Sequence, residues 1–185
     1  FGMAQHHLGF PGTMSLQPST LLLVINDLIF SLVKNGFEKI YVINGHGGNI
    51  ATLKAAFMHA YENADRMGLK NASNLKCKLS NWFMAAEVYK KSRELYGDRE
   101  GQHATPSEIS LTMNIYPCLA EKQHPLPDPA PSGPVYGALD FKRRYPDGRM
   151  GSDPFLASAE DGAVLLNIAA KALTEDLLNF LRKND

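Results

Sequence analysis

The residues able to do chemistry fall in three short stretches of a 185-residue chain. The sharpest is Asn44-Gly45-His46-Gly47-Gly48-Asn49, directly after the apolar run Ile40-Tyr41-Val42-Ile43. A histidine so placed stands at the mouth of a sheet. Its flanking glycines let the backbone turn tightly and let another group come close. Neutral imidazole is a common ligand for zinc and other divalent metals. The same stretch also reads as a Gly-rich anion cradle at a helix N-terminus, with His46 incidental. Spacing alone leaves both readings open. The stretch lacks the three-glycine dinucleotide fingerprint and the P-loop lysine, which argues against a nucleotide.

The second stretch is Gln102-His103-Ala104-Thr105-Pro106-Ser107-Glu108. His103 precedes a helix and Glu108 lies in its first turn, a pairing suited to a proton shuttle and a metal ligand. The plainer reading is a capping box, with Thr105 as N-cap, Pro106 at the first helical position and Glu108 two further on. His103 is then an exposed loop histidine. The third stretch, Gln5-His6-His7, leads to Phe10-Pro11-Gly12-Thr13. In an extended segment adjacent histidines face opposite ways, so at most one points into a site. His59, inside a helical pattern, and His124, in a Pro-rich stretch, read as structural or solvated. Trp82 reads as core or rim packing, or as an apolar wall for a flat ligand.

Periodicity supplies the elements that must hold these residues. Residues 1–17 have turn chemistry. Pro18 opens a helix in which Leu21, Val24, Ile25, Leu28, Ile29, Leu32 and Val33 recur at helical spacing, and Gly36 caps it. Lys39 to Asn44 reads as a buried parallel strand. Ile50 to about Met67 is an amphipathic helix, Leu75 to Phe83 a second strand, and a helix follows through Tyr96. Another helix opens at Thr105 and ends near Tyr116–Pro117. Residues 122–157 read as long loops, and a last helix spans about Glu160 to Leu181. Strands alternating with helices predict a single α/β domain over residues 1–185, a three-layer sandwich with a mostly parallel sheet and helices on both faces. In such sheets ligands bind beyond the carboxyl ends of the strands, which points to the loop after Asn44.

Composition sets outer bounds. Lys plus Arg and Asp plus Glu each number 19, so the formal charge is zero and no footprint for nucleic acid or an anionic membrane exists. The longest apolar run near the start is soon broken by Asn26 and Asp27, too short to span a bilayer. Cys77 and Cys118 read as buried thiols in a reducing, cytoplasmic setting, not as metal ligands.

Taken together, the stretches resemble the creatininase (creatinine amidohydrolase) family. The matching segments are Phe10-Pro11-Gly12-Thr13, Asn44 through Asn49, His103 through Glu108-Ile109-Ser110, and Gly151-Ser152-Asp153-Pro154 with Ala157 and Glu160-Asp161-Gly162. They occur in the family's order and at its usual separations. The resemblance implies a hydrolase of a C–N bond in a small cyclic amide, a formamide or a related amide. It implies two divalent metals at the strand ends, zinc or manganese with iron as an alternative. It also implies a small-molecule substrate and a homo-oligomer, a hexamer in the family. A metal-activated water would attack the amide carbon, and a histidine would move the proton to the leaving nitrogen. By the resemblance His46 is a metal ligand, His103 the proton shuttle and His7 a site-proximal histidine. Asn44, Gly45, Gly47, Gly48, Asn49 and Trp82 complete the list of residues expected near substrate.

The sequence departs from the family in two places. Creatininase itself carries a metal-binding glutamate two residues after the strand histidine. Here that position is Gly48, and Glu108 is expected to supply the carboxylate. The family's first strand and loop normally carry a Glu, a His and an Asp, and no such segment is found. This, with the start at Phe1, predicts an N-terminally truncated copy that binds metal weakly and exposes a sheet edge or an apolar helix face. The hydrolase reading expects His46 and Glu108 to face a shared pocket. Its competitors are a nucleotide- or phosphate-binding module and an inactive structural relative.

Overall fold

The computed structural model describes residues 2–119 and 130–182. His124 and part of the 122–157 stretch lie outside the described residues. The first helix, α1 (Pro18–Lys34), opens with proline at its first position and closes in a Schellman turn. Gly36 N–H donates to Val33 O at 2.9 Å and Phe37 N–H to Leu32 O at 3.1 Å, with Gly36 at φ +92°. Strand β1 (Lys39–Asn44), helix α2 (Ile50–Arg66), strand β2 (Lys76–Asn81) and helix α3 (Ala86–Tyr96) follow. Then come α4 (Pro106–Ile115), α5 (Ala138–Arg144) and α6 (Ala159–Arg182). Helix α5 corrects the expectation of unbroken loop over residues 122–157. Its turns are short and bracketed by Pro and Gly, which hides a helical period. No helix among the described residues is long and apolar enough to cross a membrane.

The α/β class holds. The chain divides into two compact units. The first comprises residues 1–5, 14–82 and 175–185, and the second residues 6–13 and 83–174. In the first, β1 and β2 pair in parallel, with Lys39 opposite Lys76 and Asn44 opposite Asn81. One sheet face packs on α1 and α2. Ile40 joins Ile29, Val33, Phe57, Ala60, Ala64 and Leu75 in a core that Val42, Cys77 and Leu79 extend. Fully burying a side chain such as Phe57 contributes about 1.5–3 kcal/mol. The other face carries Tyr41, Lys78 and Ser80, which converge on Asp176 in the last turns of α6 at 2.7, 2.5 and 2.6 Å. Only Ile40 and Asn44 of β1 and no residue of β2 are fully buried, and Ile43 is 61% exposed, which corrects the reading of Lys39 to Asn44 as a buried strand.

Of the α1 apolar positions, Leu21, Ile29 and Val33 are buried, whereas Val24, Leu28 and Leu32 line up exposed. Cys118 is exposed, not buried, while Cys77 is half-buried and its burial pushes the thiol up to about 11.

In the second unit the core is smaller. Phe141, Tyr145 and Met150 are buried together with Phe10 packed against them. Helix α6 meets α4 there at Gly162, where an added Cβ would lie 1.9 Å from Ser110 O. Tyr96 ties the same junction, its hydroxyl 2.9 Å from Ser110 Oγ and donating to Asp161 Oδ2 at 3.2 Å.

Candidate functional site

In the first unit, β1 delivers His46 to the carboxyl end of the sheet, as its motif predicts. Asn44, the last strand residue, is buried and organises the turn through its amide. Its Nδ2 donates to His46 O at 2.8 Å and to Asn81 Oδ1 at 2.7 Å. Its Oδ1 accepts from His46 N–H at 3.2 Å and from Asn49 Nδ2 at 3.1 Å. Asn49 Oδ1 in turn accepts the Met3 N–H at 2.8 Å. Asn44 thus shapes the loop by hydrogen bonding to its backbone, and Asn49 braces the Asn44 amide and ties the loop to Met3.

The two testable glycines differ. A Cβ at Gly48 would meet His46 Nε2 at 2.6 Å and Met3 O at 2.7 Å, so the half-buried imidazole occupies the space a side chain would need. Gly45 faces open space, which corrects the expectation that it too permits a close approach. Gly47 is exposed and begins a short 3-10 turn through Asn49 that leads into α2. Trp82 is half-buried in a 3-10 turn just after β2. His59 lies half-buried on α2 with Nδ1 3.2 Å from Asn63 Nδ2, a structural setting.

In the second unit, His7 and His103 come together. Their rings stack with centroids 4.2 Å apart and planes at 27°. Both pack against Phe141, at 5.3 and 5.6 Å. His6 also packs on Phe141 at 5.2 Å and meets His7 edge-on at 4.0 Å. The expectation that the adjacent histidines face opposite ways fails because Gln5–His7 forms a 3-10 turn, not an extended segment.

His103 is fixed by its backbone. Its carbonyl accepts the Ser152 hydroxyl and, at 3.4 Å, the Met150 N–H, within an antiparallel bridge to Met150. The next residue, Ala104, holds φ +52°, which costs an L-residue about 1 kcal/mol or more. That turn sends the chain directly into α4. Thr105 is the N-cap and accepts Glu108 N–H at 3.2 Å. The reciprocal half of the capping box is replaced: the Thr105 hydroxyl donates to Glu108 Oε2 at 3.3 Å. Glu108 therefore both follows a cap and presents a half-buried carboxylate.

Sequence reasoning missed two acids in this unit. Asp153 is 1% exposed and receives Arg99 at 2.9 Å. Glu100 shares a hydrogen bond with the Ser107 hydroxyl, and burial pushes its carboxyl above the ordinary range. Asp153 enters the sequence reading only as part of a family-like segment, and Glu100 not at all. The invitation to look lay in Asp153 within a family-like segment and in Glu100 beside a glycine shortly before His103.

The creatininase family profile, described as creatinine amidohydrolase, matches residues 1–177. The chain belongs to the creatininase family. A creatinine amidohydrolase from Pseudomonas putida is 25% identical over 171 residues, covering 90% of this chain and 65% of that protein. The chain thus spans just under two thirds of the length of this creatininase. Among solved structures, a tryptophan-to-alanine mutant creatininase superposes with a TM-score of 0.81 at 22% identity, covering 99% of this chain and 74% of the other. A glutamate-to-glutamine mutant creatininase complexed with creatine gives 0.78 at 23% identity, covering 99% and 74%. A manganese creatininase gives 0.76 at 23%, covering 94% and 68%. These likenesses establish a creatininase fold.

The His46 imidazole in the first unit and the Glu108 carboxylate in the second are each of a donor type that zinc and manganese take. Gly48 keeps the space beside the His46 ring clear of a competing side chain.

Proposed function

We propose that this chain carries the chemistry of a metal-dependent amidohydrolase, cleaving a C–N bond in a small cyclic amide, a formamide or a related amide. His46 and Glu108 are the metal ligands in this reading, and His103 moves the proton. Zinc or manganese, in two sites, would supply Lewis acidity and a water of lowered pKa. His46 presents its imidazole from a loop that Asn44 and Asn49 hold in shape. Glu108 offers a carboxylate whose Oε2 already accepts one hydrogen bond from Thr105. His103 would deliver a proton to the leaving nitrogen, and His7 would limit its ring to one orientation. Trp82 and the glycine loop would line the substrate side. The protein is read as cytoplasmic and as a homo-oligomer.

One observation supports this reading above the others. His103 and Glu108 are joined by a short rigid link, a bridged backbone, one left-handed residue and a capped helix start. A group that transfers protons and a group that holds a cation both need such fixed placement.

The test is hydrolysis of creatinine and of small formamides, with metal content measured on the same samples. His46→Asn and Glu108→Gln should each lose bound zinc or manganese together with activity. His103→Asn should keep the metal and lose turnover. Full activity in metal-stripped protein, or unchanged metal content in both ligand variants, rejects the assignment.

A further inference from the structure

Glu100 lies three residues before His103, outside every stretch that the sequence singles out. Its side chain turns toward the start of α4. The Ser107 hydroxyl and Glu100 Oε1 share a hydrogen bond, and Oε2 is buried. Ser107 Oγ lies 3.0 Å from Thr105 Oγ1, and Thr105 Oγ1 donates to Glu108 Oε2 at 3.3 Å. The result is a continuous file of oxygens, Glu100 to Ser107 to Thr105 to Glu108. It joins two carboxyl groups through two buried hydroxyls, Ser107 being 2% and Thr105 9% exposed.

This file has a proton count. It contains three oxygen–oxygen links, but each hydroxyl brings one proton. With both carboxyls ionised, Ser107 donates to Glu100, and Thr105 must choose between Ser107 and Glu108. One link then sets lone pair against lone pair, a costly arrangement away from water. A third proton, carried by a carboxyl, fills every link.

Glu100 is the better holder. Burial pushes its carboxyl upward, the Ser107 hydroxyl and amide oppose that, the Glu108 charge adds to the rise, and the Thr105 hydroxyl opposes it. The nearby cations are engaged elsewhere. Arg99 pairs with Asp153 at 2.9 Å, and Arg93 with Asp98 at 2.5 Å and Gly97 O at 2.7 Å. Tyr96, whose phenol also senses the Glu100 charge, is bonded to Ser110 and Asp161.

Resting on the reading that Glu108 serves the metal site, we propose that Glu100 is a positioning residue that donates, as a neutral carboxyl, into this file and thereby fixes the Glu108 carboxylate in one orientation. Ser107 then donates to Thr105 and Thr105 to Glu108. No proton leaves the file; only its direction is set.

Carboxyl-carbon NMR of glutamate-labelled protein tests this without reference to turnover. The Glu100 signal, assigned by its loss in Glu100→Gln, should titrate at higher pH than the chain's exposed glutamates. The Glu108 signal should keep its position in Glu100→Gln, whose amide N–H replaces the carboxyl O–H. It should move in Glu100→Ala and in Ser107→Ala. Zinc affinity should follow the same order, with Glu100→Gln near wild type and the other two weaker by about tenfold. A Glu100 signal that titrates with the exposed glutamates overturns the proposal. So does a Glu108 signal that moves as far in Glu100→Gln as in Ser107→Ala, a pair that decides the matter even if Glu100→Ala does not fold. A wild-type chain that takes up no zinc defeats the proposed function, and the carboxyl signals still judge the role of Glu100.

Discussion

His103 lies face to face with His7, ring centroids 4.2 Å apart and planes at 27°, with both rings resting on Phe141. A stacked ring has lost most of its rotational freedom, which suits a group that must meet a leaving nitrogen in one direction. His103→Ala should lower kcat by about 10²- to 10⁴-fold if the ring moves the proton. His7→Ala, which removes only the stacking partner, should cost less. Steady-state kinetics on small amides separates the two, and equal losses would make His7 more than a support.

The tight fit at Gly48 gives a second expectation. In Gly48→Ala the new methyl would stand 2.6 Å from His46 Nε2, so the ring must shift. Zinc affinity should fall by about tenfold or more. Gly45→Ala places its methyl where nothing lies within 4 Å and should bind zinc as wild type does. Calorimetric zinc titration of both variants checks the contrast.

Gly162 marks where α6 rests on α4. A methyl there would sit 1.9 Å from the backbone oxygen of Ser110, which cannot rotate away. Gly162→Ala should destabilise the fold by about 3 kcal/mol through overpacking. Urea unfolding with circular dichroism measures it, and a loss near zero would mean that the helices part freely.

Asp176 gives a pH-dependent expectation. Burial works to raise its carboxyl, but hydrogen bonds from Lys78, Ser80 and Tyr41 outweigh it and hold the group at about 2, below the ordinary 3.8. A lowered folded-state value stabilises the fold above the unfolded value. That contribution fades as pH falls from about 4 through about 2. Because the carboxylate is 38% exposed, solvent screens it, and Asp176→Asn should cost about 1 kcal/mol or less at neutral pH. The gap between variant and wild type should narrow in urea titrations at about pH 2.5.

Much of this arrangement can be read from residue order. The apolar run before Asn44 marks β1 to the residue, and Thr105-Pro106 marks the start of α4, because both signals are local. Helix α5 escapes because Ala138–Arg144 is only two turns long between Gly137 and Pro146. The histidine stack escapes because it joins residues 7 and 103, and no periodicity links positions so far apart. Glu100 escapes for a different reason. In Asp98-Arg99-Glu100 it looks like one charge of a solvated run, and only the fold turns it toward Ser107.

The amide clamp at the sheet's end has a consequence for how the glycine loop behaves. Asn44, Asn81 and Asn49 knit the strand tips and loop together through groups that neither gain nor lose a proton in the physiological range. A carboxylate in any of those places would tie loop geometry to acidity. As built, the frame beneath residue 46 stays neutral and keeps its shape across that range.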